Sequence, residues 1–147
     1  MIIKVLDEYK ADKCDELLTK LIQDERQYDS YINENFIVKD YIKNIIKDKN
    51  NILLCYEENE NIVGYTYFKY QNNEDSIGYL IDGLYVEEEY RKRGIAKTLI
   101  KEGLKIISDY KIDFVDINVM YNNKIAIKLY ESLGFNALSL KMRMKMD

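Results

Sequence analysis

Arg91-Lys92-Arg93-Gly94-Ile95-Ala96 sets three cations and a glycine between an apolar run, Leu80 to Val86, and a helical pattern that starts near Ile95. A strand that ends in such a loop and turns into a helix offers free backbone N–H groups, a helix N-terminus and cationic side chains at one point. That combination binds phosphate. Two common phosphate-binding patterns are missing, since the chain contains neither Gly-x-Gly-x-x-Gly nor Gly-x-x-x-x-Gly-Lys-Ser/Thr. A second ordered block, Asn123 to Phe135, begins 27 residues after Ala96. The chain has no histidine, which removes His-based triads and His-ligated metals from consideration. Cys14 falls on the apolar face of a helical pattern and Cys55 inside an apolar strand, so both read as core thiols and not as nucleophiles.

The elements that must position these residues are legible from hydrophobic periodicity. Ile2 to Leu6 predicts a first strand. Cys14, Leu17, Leu18, Leu21 and Ile22 recur at helical spacing, with Asp12 as a candidate cap. Arg26 to Asn35 is polar and aromatic and reads as a loop. Val38, Tyr41, Ile42, Ile45 and Ile46 mark a second helix ending near Asn50. Ile52–Tyr56 and Ile62–Tyr70 form a hairpin across a turn at 57–61. A long strand spans Ile77 to Val86. Ile95, Leu99, Leu104 and Ile107 define a third helix, and Phe114 to Met120 a strand. Ile125, Ala126, Leu129, Tyr130 and Leu133 define a fourth helix, stopped by Gly134. Phe135 to Met146 alternates, with Leu138, Leu140, Met142, Met144 and Met146 on one face, and predicts a last strand. The order is β-α-α-β-β-β-α-β-α-β, an α/β (α+β) chain with a mixed, mainly antiparallel sheet.

Bulk properties bound the function. At 147 residues one domain over 1–147 is expected, with 47% hydrophobic residues to fill its core. A net charge of −4 argues against a general nucleic-acid binder. No apolar run approaches the ~18 residues of a membrane span. The start, Met1 to Val5, is strand-like and not a signal peptide. A soluble, cytoplasmic protein without membrane or nucleic-acid partners is expected.

Arg91-x-x-Gly94-x-Ala96 resembles the acetyl-coenzyme A signature Gln/Arg-x-x-Gly-x-Gly/Ala of the GNAT N-acetyltransferase superfamily. Asn123-Lys124-Ile125-Ala126-Ile127-Lys128-Leu129-Tyr130-Glu131-Ser132-Leu133-Gly134-Phe135 is similar to that family's Asn-x-x-Ala-x-x-Leu-Tyr-x-x-x-Gly-Phe. The resemblance covers nearly the whole chain and is specific from Leu80 to Phe135. It implies a GNAT-like fold and a cofactor, acetyl-coenzyme A, without a metal. By resemblance, the strand before the loop splays at a bulge, for which Gly83 is suited, and Leu84, Tyr85 and Val86 present backbone groups to the pantetheine arm. Backbone amides from Lys92 through Gly94 and Ile95 to Ala96 hold the pyrophosphate, and Arg91, Lys92 or Arg93 neutralise phosphate oxygens. Asn123 meets the cofactor; it is equally suited to capping the helix it precedes.

The reaction the resemblance implies is attack of an amine on the thioester without a covalent enzyme intermediate. Tyr130 takes the role of general acid for the leaving thiolate, and a backbone N–H near Val86 can stabilise the oxyanion. Asp82 resembles an acidic residue that some members carry on this strand, and partial burial would raise its pKa as a base requires. Tyr28 and Tyr31, with Phe36, Tyr65 and Tyr67 in reserve, are the candidates for the acceptor side. A small-molecule amine is the expected acceptor. A protein or peptide N-acetyltransferase and a non-catalytic acyl-coenzyme A-binding module are the alternatives. The Met-rich last strand is a candidate homodimer surface.

Overall fold

A computed structural model describes residues 1–4 and 8–147. The chain runs β1 (Ile2–Lys4), α1 (Glu8–Asp24), α2 (Ile42–Ile45), β2 (Ile52–Glu58), β3 (Asn61–Asn72), β4 (Ile77–Val86), α3 (Ile95–Ile107), β5 (Phe114–Ile117) and α4 (Lys124–Ser132). Short 3₁₀ turns at Glu25–Gln27 and Glu88–Tyr90 follow α1 and β4. The strands form one sheet in chain order, antiparallel from β1 to β4, with β5 added parallel to β4.

Alternation in the strands sorts side chains onto two buried faces. Leu53, Cys55, Tyr65, Tyr67 and Tyr85 face α1 and α2, where Ala11, Cys14, Leu17, Ile42 and Ile45 pack on them. Ile52, Leu54, Phe68, Tyr79, Ile81 and Val86 face the other way, under Ile95, Leu99, Ile100 and Ile107 of α3. Covering both faces explains why Ile52 to Cys55 are four consecutive buried residues. Both cysteines are in this core. Burial pushes the Cys14 thiol far above its usual range, which suits packing and not nucleophilic attack.

Several predicted elements differ. Of the first strand, Ile2–Lys4 is present, and Val5 and Leu6 lie outside the described residues. Asp12 sits inside α1 and does not cap it, because the helix begins at Glu8. The second helix is a single turn. Asp40 adopts a left-handed φ of 59° just before it, and the Ile42 N–H donates 3.0 Å to the buried Asp15 Oδ1 of α1. A helix started by a contact to another element needs no long periodic run of its own. β5 stops at Ile117 and does not reach Met120. The predicted last strand is absent: residues 136–147 are exposed throughout and pair with no strand.

Candidate active site

The feature that organises the site is a bulge in β4. Tyr67 of β3 pairs with Gly83 and Phe68 pairs with Ile81, so Asp82 is an extra residue without a partner on β3. Gly83 is required there, because a Cβ would lie 2.5 Å from the hydroxyl of the fully buried Tyr65. The bulge resets the alternation. Leu84 turns to the α3 face and Tyr85 to the α1 face, so Asp82 no longer shares a face with Leu84.

The bulge also parts β4 from β5. Their parallel ladder ends at Ile81 and Ile117, whereas β4 continues to Val86. Beyond the bulged Asp82, β4 is paired with β3 from Gly83 to Val86 on one side and carries no ladder on the other. An open strand edge of this kind accepts an extended ligand as an added strand.

At the head of that edge, the loop turns into α3. Gly94 is the residue before the helix, with φ 77° and ψ 12°, and Lys92 has φ 64°. Both are left-handed, which turns successive amides to one side. Among the described residues, the N–H groups of Lys92 to Lys97 have no acceptor in the protein. A Cβ built at Gly94 would meet nothing within 4 Å, so the space above these amides is open. Anions are stabilised at such a helix start.

The cations of the loop are less available than their sequence suggests. Arg91 Nε donates 2.9 Å to the Val86 carbonyl, its Nη2 lies 3.2 Å from Asp24 Oδ2, and its guanidinium stacks 5.1 Å over the Tyr85 ring. Arg91 therefore braces the end of β4 against the end of α1. Arg93 stacks 5.0 Å over Tyr90 and lies 3.8 Å from Glu58. Lys20 of α1 adds a 2.6 Å ion pair to Glu87. The backbone, more than the side chains, is presented to an anion.

Tyr130 of α4 is half-buried and packs edge-on against Phe135, ring centroids 6.1 Å apart. Burial, reinforced by the field of Glu25, pushes its hydroxyl up to about 12. The phenol therefore stays protonated far above neutral pH. Burial also raises the pKa of Asp82; Lys69 and a hydrogen bond with Tyr41 pull it back in part. Asn123 caps α4, its Oδ1 accepting from the Ala126 N–H at 3.2 Å.

The acceptor-side candidates divide. Tyr31 is exposed and Tyr28 half-exposed, on the loop after Glu25–Gln27. Phe36 is exposed as well, whereas Tyr65 and Tyr67 are core residues of the α1 face, which corrects their assignment to a pocket. Sequence reasoning passed over Glu25, whose field reaches Tyr130, and Tyr41, the partner of Asp82. Both reach these positions by long-range packing, and no local spacing marks them.

A sequence profile of the Acetyltransferase (GNAT) family matches residues 11–135. The chain belongs to this family. It is 30% identical over 101 residues to an N-terminal acetyltransferase complex ARD1 subunit homolog of Dictyostelium discoideum, covering 68% of this chain and 49% of that one. The chain spans half or less of the length of the curated relatives it matches. Among solved structures, a Bacillus halodurans protein superposes with a TM-score of 0.81 at 18% identity over 99% of both chains. The aminoglycoside N-acetyltransferase AAC(6')-Iy in complex with CoA superposes at 0.75 and 14% identity, over 100% of this chain and 99% of that one. At these identities the structures establish a shared GNAT fold. Among the described residues, no helix is long and apolar enough to cross a membrane.

Proposed function

We propose that this GNAT domain, residues 1–147, transfers an acetyl group from acetyl-coenzyme A to a primary amine in the cytoplasm, by direct attack of the amine on the thioester. The observation that carries this reading is the juxtaposition of two backbone surfaces, the outer β4 edge over Asp82–Val86, which carries no ladder, and the amides of Lys92–Lys97, which have no acceptor among the described residues. Acetyl-coenzyme A has a part for each. Its pantetheine amides suit the edge presented by Leu84, Tyr85 and Val86. Its pyrophosphate suits the amides of Lys92, Arg93, Gly94, Ile95 and Ala96, and Asn123 stands at the start of the next helix. The thioester supplies an activated acyl group with a good leaving thiolate.

Two protons move in this reaction. Attack forms an N–C bond and expels the thiolate, so the amine must lose one proton and sulfur must gain one. Asp82, a carboxylate of raised pKa, takes the first. Tyr130 donates to the sulfur. An ordinary thiol has a pKa near 8.5, well below that of Tyr130, so Tyr130 acts chiefly as a hydrogen-bond donor to the charge that develops on sulfur, and solvent supplies the proton that completes the thiol.

Glu25 precedes the loop that bears Tyr28 and Tyr31; Asp29 is paired with Arg143, which also stands over the Tyr31 ring, so Glu25 and Tyr28 are the acidic and aromatic groups left to meet a cationic small amine. A peptide amino terminus is the second reading, favoured by the curated relative named for N-terminal acetylation. Thiol release measured over polyamines, aminoglycosides, amino acids and peptides tests both. Turnover confined to small amines supports the first reading and turnover confined to peptides the second. Tight coenzyme A binding with no turnover on any amine would mean a binding module.

The phosphate loop has its own test. Gly94→Val places a β-branched residue at a φ of 77° and fills the open space above the amides. Coenzyme A affinity by calorimetry is expected to fall about tenfold or more, equivalent to ~1.4 kcal/mol. Unaltered affinity in a folded variant would remove the loop from the cofactor site.

A further inference from the structure

At the end of the sheet away from the bulge, a cleft of about 220 Å³ opens between the start of β2, the start of β4 and the turn from α3 into β5. Tyr79 at this cleft is seven residues of β4 from Val86, roughly 23 Å at the rise of a strand. Three tyrosines from separate segments line it. Tyr70 and Tyr79 are cross-strand partners on β3 and β4, ring centroids 5.7 Å apart, and Tyr110 comes from the turn after α3. Ile52 and Ile77 add apolar surface, and Lys49 and Lys111 bring two exposed cations from two different segments. Neither lysine has an ion-pair partner among the described residues, and none of the lining side chains is acidic. The walls are fixed in advance. Tyr79 Oη donates 2.9 Å to the Asn50 carbonyl, and Asn51 Oδ1 accepts from the Tyr70 N–H at 2.9 Å, which ties the segment bearing Lys49 to both strands. The Ile77 N–H donates 2.9 Å to Asp113 Oδ2 and the Asp113 N–H donates 2.7 Å to the Ile77 carbonyl, which holds the segment bearing Lys111. Asp48 and Asp113, the acids of these two segments, already accept from the N–H groups of Asn50 and Ile77.

We propose that this cleft is a second ligand site, separate from acetyl transfer, and that it takes a single-ring aromatic carboxylate. Size selects one ring. A cavity of about 150 Å³ holds a benzene, and pockets for drug-sized ligands begin near ~300 Å³, so a substituted ring fits this volume and a nucleotide does not. Ring chemistry selects an aromatic. Tyrosine faces and edges attract a flat π-system in offset or edge-on contact, and the paired rings of Tyr70 and Tyr79 already stand at such a separation. Charge selects an anion, since two unpaired ammonium groups without a competing carboxylate meet a negative group at the mouth. The hydroxyls of Tyr70 and Tyr110 make no hydrogen bond among the described residues, which leaves them free for a polar substituent on the ring. Because the walls are already bonded to each other, little ordering is needed when the ligand enters. None of these residues belongs to the β4 edge or to the loop before α3, so the occupant is neither the acyl donor nor the amine.

The test is a titration of the isotope-labelled full chain with para-hydroxybenzoate, followed by the amide resonances in nuclear magnetic resonance spectra. Saturable shifts are expected at residues 49–52, 70, 77–79 and 110–112, and not at 82–97. The double variant Lys49→Ala, Lys111→Ala is expected to raise the dissociation constant about tenfold, the combined scale of two exposed ion pairs, and to keep its fold because both side chains are exposed. Tyr110→Ala removes an exposed ring and is expected to weaken binding as well. Benzamide, cyclohexanecarboxylate and inorganic phosphate, each titrated alone, are expected to bind more weakly than the probe. The proposal is overturned if millimolar probe leaves the cleft amides unmoved, or if the double lysine variant binds as the parent does. Equal affinity for benzamide would remove the anion from the reading, and equal affinity for cyclohexanecarboxylate or phosphate would remove the ring; either result overturns it. The same shifts are expected with coenzyme A present, and displacement of the probe by coenzyme A would also overturn it. None of these readouts depends on turnover, so failure here leaves the acetyl-transfer reading standing.

Discussion

Replacing Tyr130 by phenylalanine is expected to lower kcat by about 10²-fold, the scale at which a positioned proton donor contributes to a transition state. The substitution removes one hydroxyl and keeps the ring that packs on Phe135 and the α3-side core. Folding and cofactor affinity should therefore survive, and the loss should fall on kcat more than on KM. The hydroxyl is well matched to donation and poorly matched to accepting a proton. Burial and the nearby Glu25 hold its pKa at about 12, so it remains a donor over the whole range in which an amine can be acetylated. The variant should accordingly be slow at every accessible pH, with no new limb in its profile. Steady-state kinetics at saturating acetyl-coenzyme A provides the measurement. An unchanged kcat would return Tyr130 to the role of a core aromatic.

How much of this was readable in advance varies with the range of the interactions. α3 was legible because Ile95, Leu99, Ile100 and Ile107 repeat at helical spacing against a sheet. The hairpin of β2 and β3 and the long β4 were equally plain from short apolar runs separated by polar turns. Gly94 was recognisable as the pivot before a helix, and the left-handed φ it needs is the physical content of that recognition. The loop's cations were misleading. Sequence shows Arg91 beside a phosphate loop, whereas the fold brings Asp24 from the end of α1 to meet it, 67 residues away. The brevity of α2 had the same origin, since its start is set by Asp15 in α1. The tail showed the converse. Its alternation predicts a strand, but periodicity carries no information on whether a partner strand is at hand, and residues 136–147 pair with none.

Asp82→Asn tests the other half of the proton inventory, and its signature is in pH. Asp82 lies in the β4 bulge with its side chain reaching the surface, and partial desolvation by its neighbours holds its pKa above the ordinary carboxylate value. As a general base it works only when ionised. The rate it supports is therefore present above its folded pKa and is lost as pH falls through it, at a higher pH than for a solvated aspartate. In the asparagine variant kcat/KM is expected to fall by about 10²-fold at neutral pH and to lose that acidic limb. Stability should move in the opposite direction. A carboxylate whose pKa is raised by folding binds its proton more tightly in the native state, so stability declines as pH rises from the unfolded toward the folded pKa. Above that window the ionised carboxylate is a net cost to the fold, and a neutral isostere relieves it. Thermal melts at pH 7 should show Asp82→Asn slightly more stable than the parent, a difference that shrinks toward acid pH. Lower activity with higher stability in one substitution is the pattern of a residue held at a site for its chemistry. Full activity in the variant would pass the amine's proton to solvent and leave the bulge as a purely structural device that parts β4 from β5.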